Sequence, residues 1–520
     1  MPVVFALIFL LGLGMGYALS GNMGTGNFFS KNKGATLQEI SNLIKSKYVQ
    51  EIDVDSINAY AADEMLSHLD PHSVYISPKD LQGINDAMEG QFVGIGIMYN
   101  SINDTLNILK IIKNGPAEKA GVLIGDKLLK VNDSIVLIGK NIKDNYIKNN
   151  IRGEEGSLIK LLILRDGVVK KINVTRAAIP IPSIDAAYII APKTGYIKIN
   201  KFAERTYEEF MQNLERLQKQ KIENLILDLR DNGGGYMHAA TAIADEFLDG
   251  EKMIVYTEGK HTNKNEFRCK KEGLFENGKL IVLINETSAS ASEVLAGALQ
   301  DWDRATIVGR RSFGKGLVQQ QYNLSDGGAL RLTVARYYTP LGRNIQKTYS
   351  GGKQKYMQEL EERYSYGEMI KVDSILQKGK EYKTPKGHLV FDGGGITPDY
   401  FIGIDTANYT PTIIALFYKD VIEKFVFNFY NNNKTTLKKL TTATDVINKL
   451  SLTNNDWNLL QSIAQKDSID ISKISEVNKT YLIQKIKANV AKTFINDEVY
   501  TEVENLSDAV VKKAVELLKQ

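Results

Sequence analysis

The stretch at residues 280–321 constrains the fold of this chain more than any other part of the sequence. An apolar run at 280–284 predicts a buried strand, and the small residues at 287–292 predict a tight turn directly after it. Apolar residues at helical spacing then predict a helix, and a second strand is expected at 305–308. Such a turn places serine side chains at the N-terminal end of a helix, where free N–H groups and the helix dipole stabilise negative charge. The stretch is therefore a candidate site for a nucleophile.

A second informative stretch begins at Gly195. A strand, an amphipathic helix and the buried strand of IENLILDLRDNGGG follow one another there, which is the βαβ order of a parallel sheet. Three glycines at 233–235 follow the second strand, and a glycine-rich turn lets backbone N–H groups approach whatever binds there. The pattern predicts an α/β core with a turn suited to an oxyanion or a phosphate.

Length and charge exclude some classes of protein. At 520 residues the chain is too long for a single hydrophobic core, so roughly three or four domains are expected. The formal net charge is only +4, and no stripe of Lys and Arg interleaved with aromatic residues stands out. Nucleic acid is therefore not an expected partner.

Metal and disulfide chemistry are not expected either. Cys269 is the single cysteine, which excludes an intramolecular disulfide and a cysteine-based metal cluster. His68 and His72 are four residues apart, a spacing that suits metal ligands on one helix face. Pro71 lies between them and breaks a helix, so we expect no metal site there.

The N-terminal part of the chain predicts an anchor followed by helices. Residues 2–19 carry no charge, and their length is near the lower limit for crossing a bilayer. We interpret residues 1–20 as an uncleaved transmembrane anchor, with a cleaved signal segment as the alternative, and residues 21–35 as a linker. Residues 36–88 are expected to form a helical N-terminal segment.

Short β-like runs separated by helical segments begin at about residue 89. They include FVGIGIMY, TLNILKII and SLIKLLILRDG, and GPAEKAGVLIGDK predicts a turn into a short helix. In this order of elements residues 89–178 resemble a PDZ domain. PDZ domains commonly capture a free C-terminus by adding it as a strand to a sheet edge, although a small β domain without a peptide ligand is the alternative. The resemblance implies that the carboxylate-binding loop and groove edge consist of Phe92, Val93, Gly94, Ile95, Gly96 and Ile97.

Lys315 is the candidate general base of the stretch at 280–321. Gly314 and Gly316 flank it and leave its side chain free to enter a pocket. To accept a proton near pH 7 its pKa must fall by about three units from the usual ~10.4, and burial among apolar neighbours can supply that change. Pairs of serine and lysine are an established form of activated nucleophile.

Two other interpretations compete at these positions. Residues 309–315 match GxxxxGK, the pattern of a phosphate-binding loop, but Gly316 stands where that loop needs a hydroxyl for magnesium. A strand is expected next where a helix is required, which argues against nucleotide binding. His238 could pair with Asp228 or Asp231 in a Ser-His-Asp triad, since a triad is defined by geometry and not by chain order.

The combined motifs resemble those of the carboxy-terminal processing peptidases, also called tail-specific proteases. NETSASASEVLAGALQDWDRATIVGRRSFGKGLVQ resembles the segment that carries their nucleophile and base, while LDLRDNGGG, GGITPD and LDPHSVYISP resemble three further blocks. The likeness covers about residues 36–400. It implies a multidomain α/β fold with a PDZ-like β domain and a βαβ-type, crotonase-like serine protease core at 179–405. The polar residues 350–390 are interpreted as an insertion in this core, and residues 406–520 as a helical C-terminal extension.

Position by position, the resemblance implies the catalytic residues. Ser290 matches the nucleophile, Lys315 matches the general base, and Gln319 matches the polar residue that orients the lysine. Ser288 and Ser292 are then expected to hold the turn and cap the helix.

The resemblance also implies an oxyanion hole and a switch. The backbone N–H groups of Ala291 and Gly235 match the oxyanion donors, with Gly233 or Gly234 as the alternative to Gly235. Arg152 lies where relatives have an arginine that links the PDZ domain to the protease core, so it is a candidate switch residue. Neither a metal nor another cofactor is implied.

The expected function is that of a membrane-anchored serine endopeptidase in the cell envelope, facing the periplasm, or of an exported one. Its expected partners are protein or peptide substrates with free C-termini and the membrane, and the C-terminal helices are candidates for homo-oligomer formation. Two alternatives are open: an inactive, anchored PDZ scaffold that binds protein C-termini, and another acyl-transfer reaction on the same fold.

Overall fold

The computed structural model describes the chain at residues 35–102, 105–139, 142–371 and 379–520. These residues belong to two compact units, the first ending at His68 and the second running from Leu69 to Gln520. The first unit contains helices α1 (Ala35–Lys47) and α2 (Val54–Ser67). Within the described residues no helix is long and apolar enough to cross a bilayer. The apolar segment at 2–19 lies outside them.

The second unit begins with a short strand and the residues that form the PDZ-like region. In chain order its elements are β1 (Val74–Ile76), α3 (Pro78–Glu89), β2 (Gln91–Gly94), β3 (Ile97–Ile102), β4 (Thr105–Ile111), α4 (Pro116–Lys119), β5 (Lys127–Val131), β6 (Ile135–Val136), α5 (Asp144–Ile151), β7 (Leu158–Arg165), β8 (Val168–Thr175) and β9 (Ala177–Pro180). Strands β3, β4, β5, β7 and β8 form one antiparallel sheet in that order, and β6 pairs with β5. Alternation along β7 buries Ile159, Leu161 and Ile163 on the core side, because successive side chains of a strand face opposite ways.

The peptidase-like core follows. Its elements are β10 (Ile184–Ala191), β11 (Thr194–Ile199), α6 (Thr206–Gln218), β12 (Asn224–Asp228), α7 (Met237–Asp245), β13 (Met253–Gly259), β14 (Thr262–Arg268), β15 (Lys279–Ile284), α8 (Ala291–Asp301), β16 (Thr306–Gly309), β17 (Leu317–Asn323), β18 (Ala329–Tyr338), α9 (Gly352–Ser365), β19 (Glu381–Lys383), β20 (Leu389–Phe391) and β21 (Tyr400–Phe401).

The central sheet has the order β10-β11-β12-β15-β16-β21, and every neighbouring pair is parallel except β10 with β11. Because parallel neighbours end at the same edge, the loop after β12 and the loop after β15 lie side by side. A second sheet contains β1, β18, β13 and β14, and β17 pairs with β18. It brings β1, far away in the sequence, to β18, which also pairs with β17, the strand that follows Lys315.

Helices make up most of the chain after residue 410. They are α10 (Pro411–Tyr418), α11 (Val421–Leu437), α12 (Ala443–Lys449), α13 (Asn454–Lys466), α14 (Glu476–Phe494), α15 (Asp497–Asn505) and α16 (Ala509–Lys519). Two of them begin with capping boxes, Thr442 with Asp445 and Thr453 with Asp456, which satisfy free N–H groups of the first turn. Helices α10 to α15 share a hydrophobic core of their own.

The central sheet is covered on both faces. Leu225 and Leu227 of β12 pack with residues of α6, α7 and α8, while Ile226 between them packs with Val511 and Leu518 of α16. Each fully buried aliphatic side chain of this kind contributes about 1.5–3 kcal/mol. The last helix therefore completes the core of the domain that carries the candidate site.

Candidate active site

Ser290 occupies a strained turn between β15 and α8. Its φ is 56° and its ψ is −113°, a conformation that non-glycine residues rarely adopt. Backbone strain at a sharp strand-to-helix turn is typical of an exposed nucleophile. The side chain is half-buried and begins the helix.

The neighbouring serines hold this turn together. The Ser288 hydroxyl donates to the Leu229 carbonyl at 2.8 Å and accepts the N–H of Asn285 at 2.9 Å. The Ser292 hydroxyl donates to the Asn232 carbonyl at 2.8 Å. Both side chains are fully buried, so they fix the turn to the loop after β12.

The glycine turn after β12 lies directly against Ser290. A Cβ atom placed on Gly234 would lie 2.8 Å from the Cβ of Ser290. A Cβ on Gly235, whose φ is +141°, would lie 2.1 Å from the Phe202 carbonyl oxygen. Only glycine fits at these two positions, because any side chain would displace the backbone.

Backbone hydrogen bonds narrow the choice of oxyanion donors. The N–H of Gly234 donates to Asn232 Oδ1 at 2.9 Å, which makes Gly234 a poor candidate. The N–H groups of Gly233, Gly235 and Ala291 donate to no acceptor in the described part of the chain. Gly235 and Ala291 therefore stay the predicted pair, with Gly233 as the alternative.

Glu293 joins the segments of the two candidate catalytic residues. Its fully buried carboxylate accepts through Oε2 the N–H of Ser290 at 2.8 Å and that of Lys315 at 2.9 Å. Through Oε1 it accepts the Ser312 hydroxyl at 2.5 Å and the Gly314 N–H at 2.7 Å. Burial raises the pKa of Glu293, and these hydrogen bonds oppose that shift. A phosphate could not use the same N–H groups, which contradicts the phosphate-loop interpretation.

Lys315 is half-buried beside the turn. Burial lowers the pKa of its ammonium group, and the nearby charge of Arg331 lowers it further, while Glu293 and Asp70 oppose the change. The direction is the one a general base needs. Among the described residues, Lys315 Nζ makes no hydrogen bond or ion pair, including none with Ser290 Oγ.

Gln319 makes a different contact from the one expected. Its amide donates to the hydroxyl of Thr333 at 3.3 Å, and no hydrogen bond between it and Lys315 occurs in the described chain. The reason is the register of β17 and β18, which places Gln319 directly opposite Thr333. Its role in orienting the lysine stays a prediction.

Asp70 and His72 border the same site, although neither was predicted as a catalytic or binding residue. The buried Asp70 carboxylate accepts the N–H of His72 at 2.8 Å, the hydroxyl of Ser73 at 2.5 Å and the hydroxyl of Thr333 at 3.0 Å. Burial, and next the charge of Lys315, lower the pKa of His72 to about 4. The motif LDPHS was visible, but its position beside Lys315 depends on the pairing of β1 with β18.

His72 also contacts the region predicted as an insertion. Its Nε2 lies 2.9 Å from the hydroxyl of Tyr356 in α9. The ammonium group of Lys347 lies 3.9 Å from the ring centre of Phe313 and is bound by Glu359 of α9 at 2.8 Å. Helix α9 thus forms one wall next to the site.

The triad built on His238 does not form. His238 is exposed and lies 3.5 Å from Glu204, to which it can form an ion pair. Asp228 is held by Arg230, and Asp231 accepts from the side-chain amide of Asn285. That alternative was wrong, because both carboxylates are bound by other groups.

The six residues predicted for the PDZ groove do not form one continuous edge. Phe92, Val93 and Gly94 belong to β2, which pairs with β9 outside the PDZ sheet. Ile95 is buried in the domain core, and Gly96 turns the chain with φ +75°. The prediction of a groove edge fails for β2. One edge strand of the PDZ sheet is β3, which begins at Ile97.

Arg152 connects the PDZ region to helix α3. Its Nη1 lies 2.9 Å from the carboxylate of Asp86, and its guanidinium carbon lies 4.6 Å from the ring centre of Phe92. Beside Asp86, the Asn85 side chain accepts a 3.5 Å hydrogen bond from Gln321 of β17. The strand that follows Lys315 and the PDZ region therefore contact the same helix.

The site has the arrangement of a serine hydrolase, with a strained serine between strand and helix, glycine N–H groups beside it and a half-buried lysine. Comparison with known proteins agrees: residues 193–354 match the model of peptidase family S41, residues 93–175 match a PDZ domain, and residues 412–496 match a family of unknown function.

Two curated proteases are similar to this chain in sequence. A carboxy-terminal-processing protease of Bartonella bacilliformis is 36% identical over 318 residues, covering 60% of this chain and 72% of the relative. A probable CtpA-like serine protease of Staphylococcus aureus is 34% identical over 325 residues, covering 61% of this chain and 64% of the relative. The chain belongs to the carboxy-terminal-processing proteases of family S41. Among solved structures, a photosystem II D1 C-terminal processing protease matches 71% of this chain and 87% of its own, at 25% identity and a TM-score of 0.36.

Proposed function

We propose that this chain cleaves proteins near their C-termini with Ser290 as nucleophile and Lys315 as general base. The observation that carries the assignment is the shared acceptor: Glu293 Oε2 binds the N–H groups of both residues. One rigid carboxylate therefore sets the separation of the two backbones, as a catalytic pair requires.

The proposed reaction uses the groups that surround the turn at Ser290. Neutral Lys315 takes the proton of the Ser290 hydroxyl, and Oγ attacks the peptide carbonyl. The N–H groups of Ala291 and Gly235 stabilise the oxyanion that forms. Lys315 then gives the proton to the leaving amine, and water releases the acyl group by the same path in reverse. Lys315 Nζ must come within hydrogen-bond reach of Oγ when substrate binds, a tightening that free enzymes commonly require.

We propose that the PDZ domain binds the substrate tail at the free edge of β3, with the carboxylate near Gly96 and Ile97. Arg152 is the proposed switch. Its contact with Asp86 of α3, and the contact of Asn85 with Gln321, support a route from the domain to the strand after Lys315.

The fold class of the core, the location of the enzyme in the cell and its self-association are also proposals. The core is proposed to be crotonase-like, and the apolar residues 2–19 are proposed to hold it in the cell envelope, facing the periplasm, or to direct its export. Self-association through the C-terminal helices is proposed too, and the exposed Ile414 and Tyr418 of α10 support it.

The test uses one unfolded substrate with an apolar tail. We expect Ser290→Ala to reduce cleavage at least 10³-fold, because the nucleophile is lost. A fluorophosphonate probe should label the parent at Ser290, and Ser350→Ala, at an exposed position in the loop before α9, is the matched serine control. Cleavage by Ser290→Ala at the parent rate would rule out the assignment. Tail capture is tested with the same peptide in free-acid and amidated form, where equal KM values would contradict it.

A further inference from the structure

The last helix is tied to the loop that precedes the glycine turn. Asp508 stands at its start and accepts the N–H of Val511 through Oδ1 at 2.9 Å, as an N-cap residue does. The other carboxylate oxygen of Asp508 lies 2.7 Å from Nη1 of Arg230. One side chain therefore begins α16 and binds a residue of the core.

Arg230 is held on its other side by the central sheet. Its Nε and Nη2 donate to the carboxylate of Asp228 at 2.6–3.0 Å. Asp228 ends β12, is fully buried and also accepts the Tyr196 hydroxyl at 2.6 Å. The guanidinium of Arg230 thus bridges a fixed carboxylate of the sheet and the carboxylate of Asp508.

The residues just after Arg230 reach the nucleophile. The carbonyl of Asn232 accepts the N–H of Ala289 at 3.0 Å and the hydroxyl of Ser292 at 2.8 Å. Ala289 directly precedes Ser290, and Ser292 lies two residues after it in the first turn of α8. The side chain of Asn232 accepts the N–H of Gly234, next to the candidate donor Gly235. A shift of this loop would therefore move the oxyanion donor relative to Ser290.

We propose that Asp508 is a positioning residue for the oxyanion loop, so that the C-terminal extension is a working part of the peptidase and not a separate module. The proposal rests on the proposed function of Ser290 and Gly235. It assigns a role to a helix that lies outside the family models matched by the chain. Asp508 acts through Arg230 and touches no substrate.

The decisive variant is Asp508→Asn, because asparagine caps a helix as well as aspartate does while removing the charge that binds Arg230. We expect kcat on the tailed peptide to fall about tenfold with KM within twofold of the parent. Binding of a peptide boronate, whose adduct places an anionic oxygen in the oxyanion hole, should weaken by about the same factor. Asp508→Glu should restore part of both losses.

Glu498→Gln is the matched control. Glu498 joins the same extension to the core through Arg216 at 3.2 Å and the N–H of Ala187 at 3.1 Å, away from the glycine turn. The Glu498→Gln variant should lower the midpoint of thermal unfolding as much as Asp508→Asn does, but it should leave kcat and boronate affinity unchanged. The proposal would be overturned if Asp508→Asn kept the kcat and the boronate affinity of the parent. It would also be overturned if Asp508→Asn and Glu498→Gln lost equal amounts of both. An inactive parent, or an active Ser290→Ala, would instead refute the function on which it rests.

Discussion

The hydroxyl of Tyr337 donates a 2.6 Å hydrogen bond to the carbonyl oxygen of Lys315. The same hydroxyl lies 3.2 Å from the carbonyl oxygen of Ser290. Glu293 holds the N–H groups of these two residues, so the backbones of the candidate pair are bound on both their donor and acceptor sides. Fixing the backbones leaves the two side chains as the parts that move during the reaction.

Replacing Tyr337 by phenylalanine should therefore remove the hydroxyl that holds the backbones of Ser290 and Lys315, without opening a cavity. We expect kcat to fall about 3- to 10-fold and the free energy of unfolding to fall by about 1 kcal/mol, since one net hydrogen bond is lost. Steady-state kinetics and urea unfolding measure the two effects. Tyr338→Phe, one residue on and stacked against Tyr256, is the control. Equal kcat values for the two variants would contradict the role of Tyr337.

Glu293→Gln should have a larger effect. The carboxylate accepts four hydrogen bonds, and an amide in its place would turn an NH₂ group towards two of the donors. Leaving buried donors unsatisfied costs about 1–3 kcal/mol each. We expect activity to fall at least 100-fold while circular dichroism shows a folded protein. A variant that is folded and as active as the parent would show that Glu293 is not needed to position Ser290 and Lys315.

The pH profile should report the lowered pKa of Lys315. A general base acts when neutral, so kcat/KM should rise with pH and level off above an apparent pKa that lies below the usual lysine value of ~10.4. Arg331→Gln removes a charge that lowers this pKa, so it should move the rising limb to higher pH. If the rising limb of the Arg331→Gln profile stays in place or moves to lower pH, a group other than Lys315 is titrating.

His72 should contribute to stability in a defined pH window. Its pKa is about 4 in the folded chain and ordinarily 6.5, so the unfolded chain binds the proton first as pH falls. Its contribution should be present above pH 6.5 and lost between pH 6.5 and about 4, by about 3 kcal/mol at 1.36 kcal/mol per pKa unit. Urea unfolding of the parent and of His72→Gln across this range measures it. Parallel stability curves for the two proteins would contradict the low pKa.

The charge of Lys315 contributes to that shift and gives a separate test. In Lys315→Met the pKa of His72 should rise above 4, although burial, the larger cause, keeps it below 6.5. NMR titration of the histidine ring carbons measures the change. An unchanged His72 titration would place the two side chains too far apart to interact.

The sequence predicted the parts of the site that lie close together along the chain. Ser290 and Lys315 are carried by consecutive elements, β15 to β17, whose order follows from apolar runs and turns. The glycine turn was identified as well, because LILDLRDNGGG is a buried strand ending in glycines. Its contact with Ser290 requires β12 and β15 to be neighbours, which local patterns do not specify.

The remaining parts depend on strand pairing between distant segments. Asp70 and His72 reach Lys315 only because β1 adds to β18, and Gln319 faces Thr333 because of one register between β17 and β18. A shift by one residue would turn these side chains to the other face of the sheet. The groove edge at Phe92 was misplaced for the same reason, since β2 pairs with β9, which follows the last strand of the PDZ sheet.

The pairing of β2 with β9 has a consequence for how this enzyme can change. Gln91 lies opposite Pro180 and Gly94 lies opposite Ala177, so the chain leaves the core and returns to it through adjacent antiparallel strands. For the core, the recognition domain is equivalent to a long hairpin loop, and domains whose ends lie close together are readily exchanged. Tail specificity can therefore be replaced as a unit at this two-stranded stem, leaving Ser290, Lys315 and their supports unaltered.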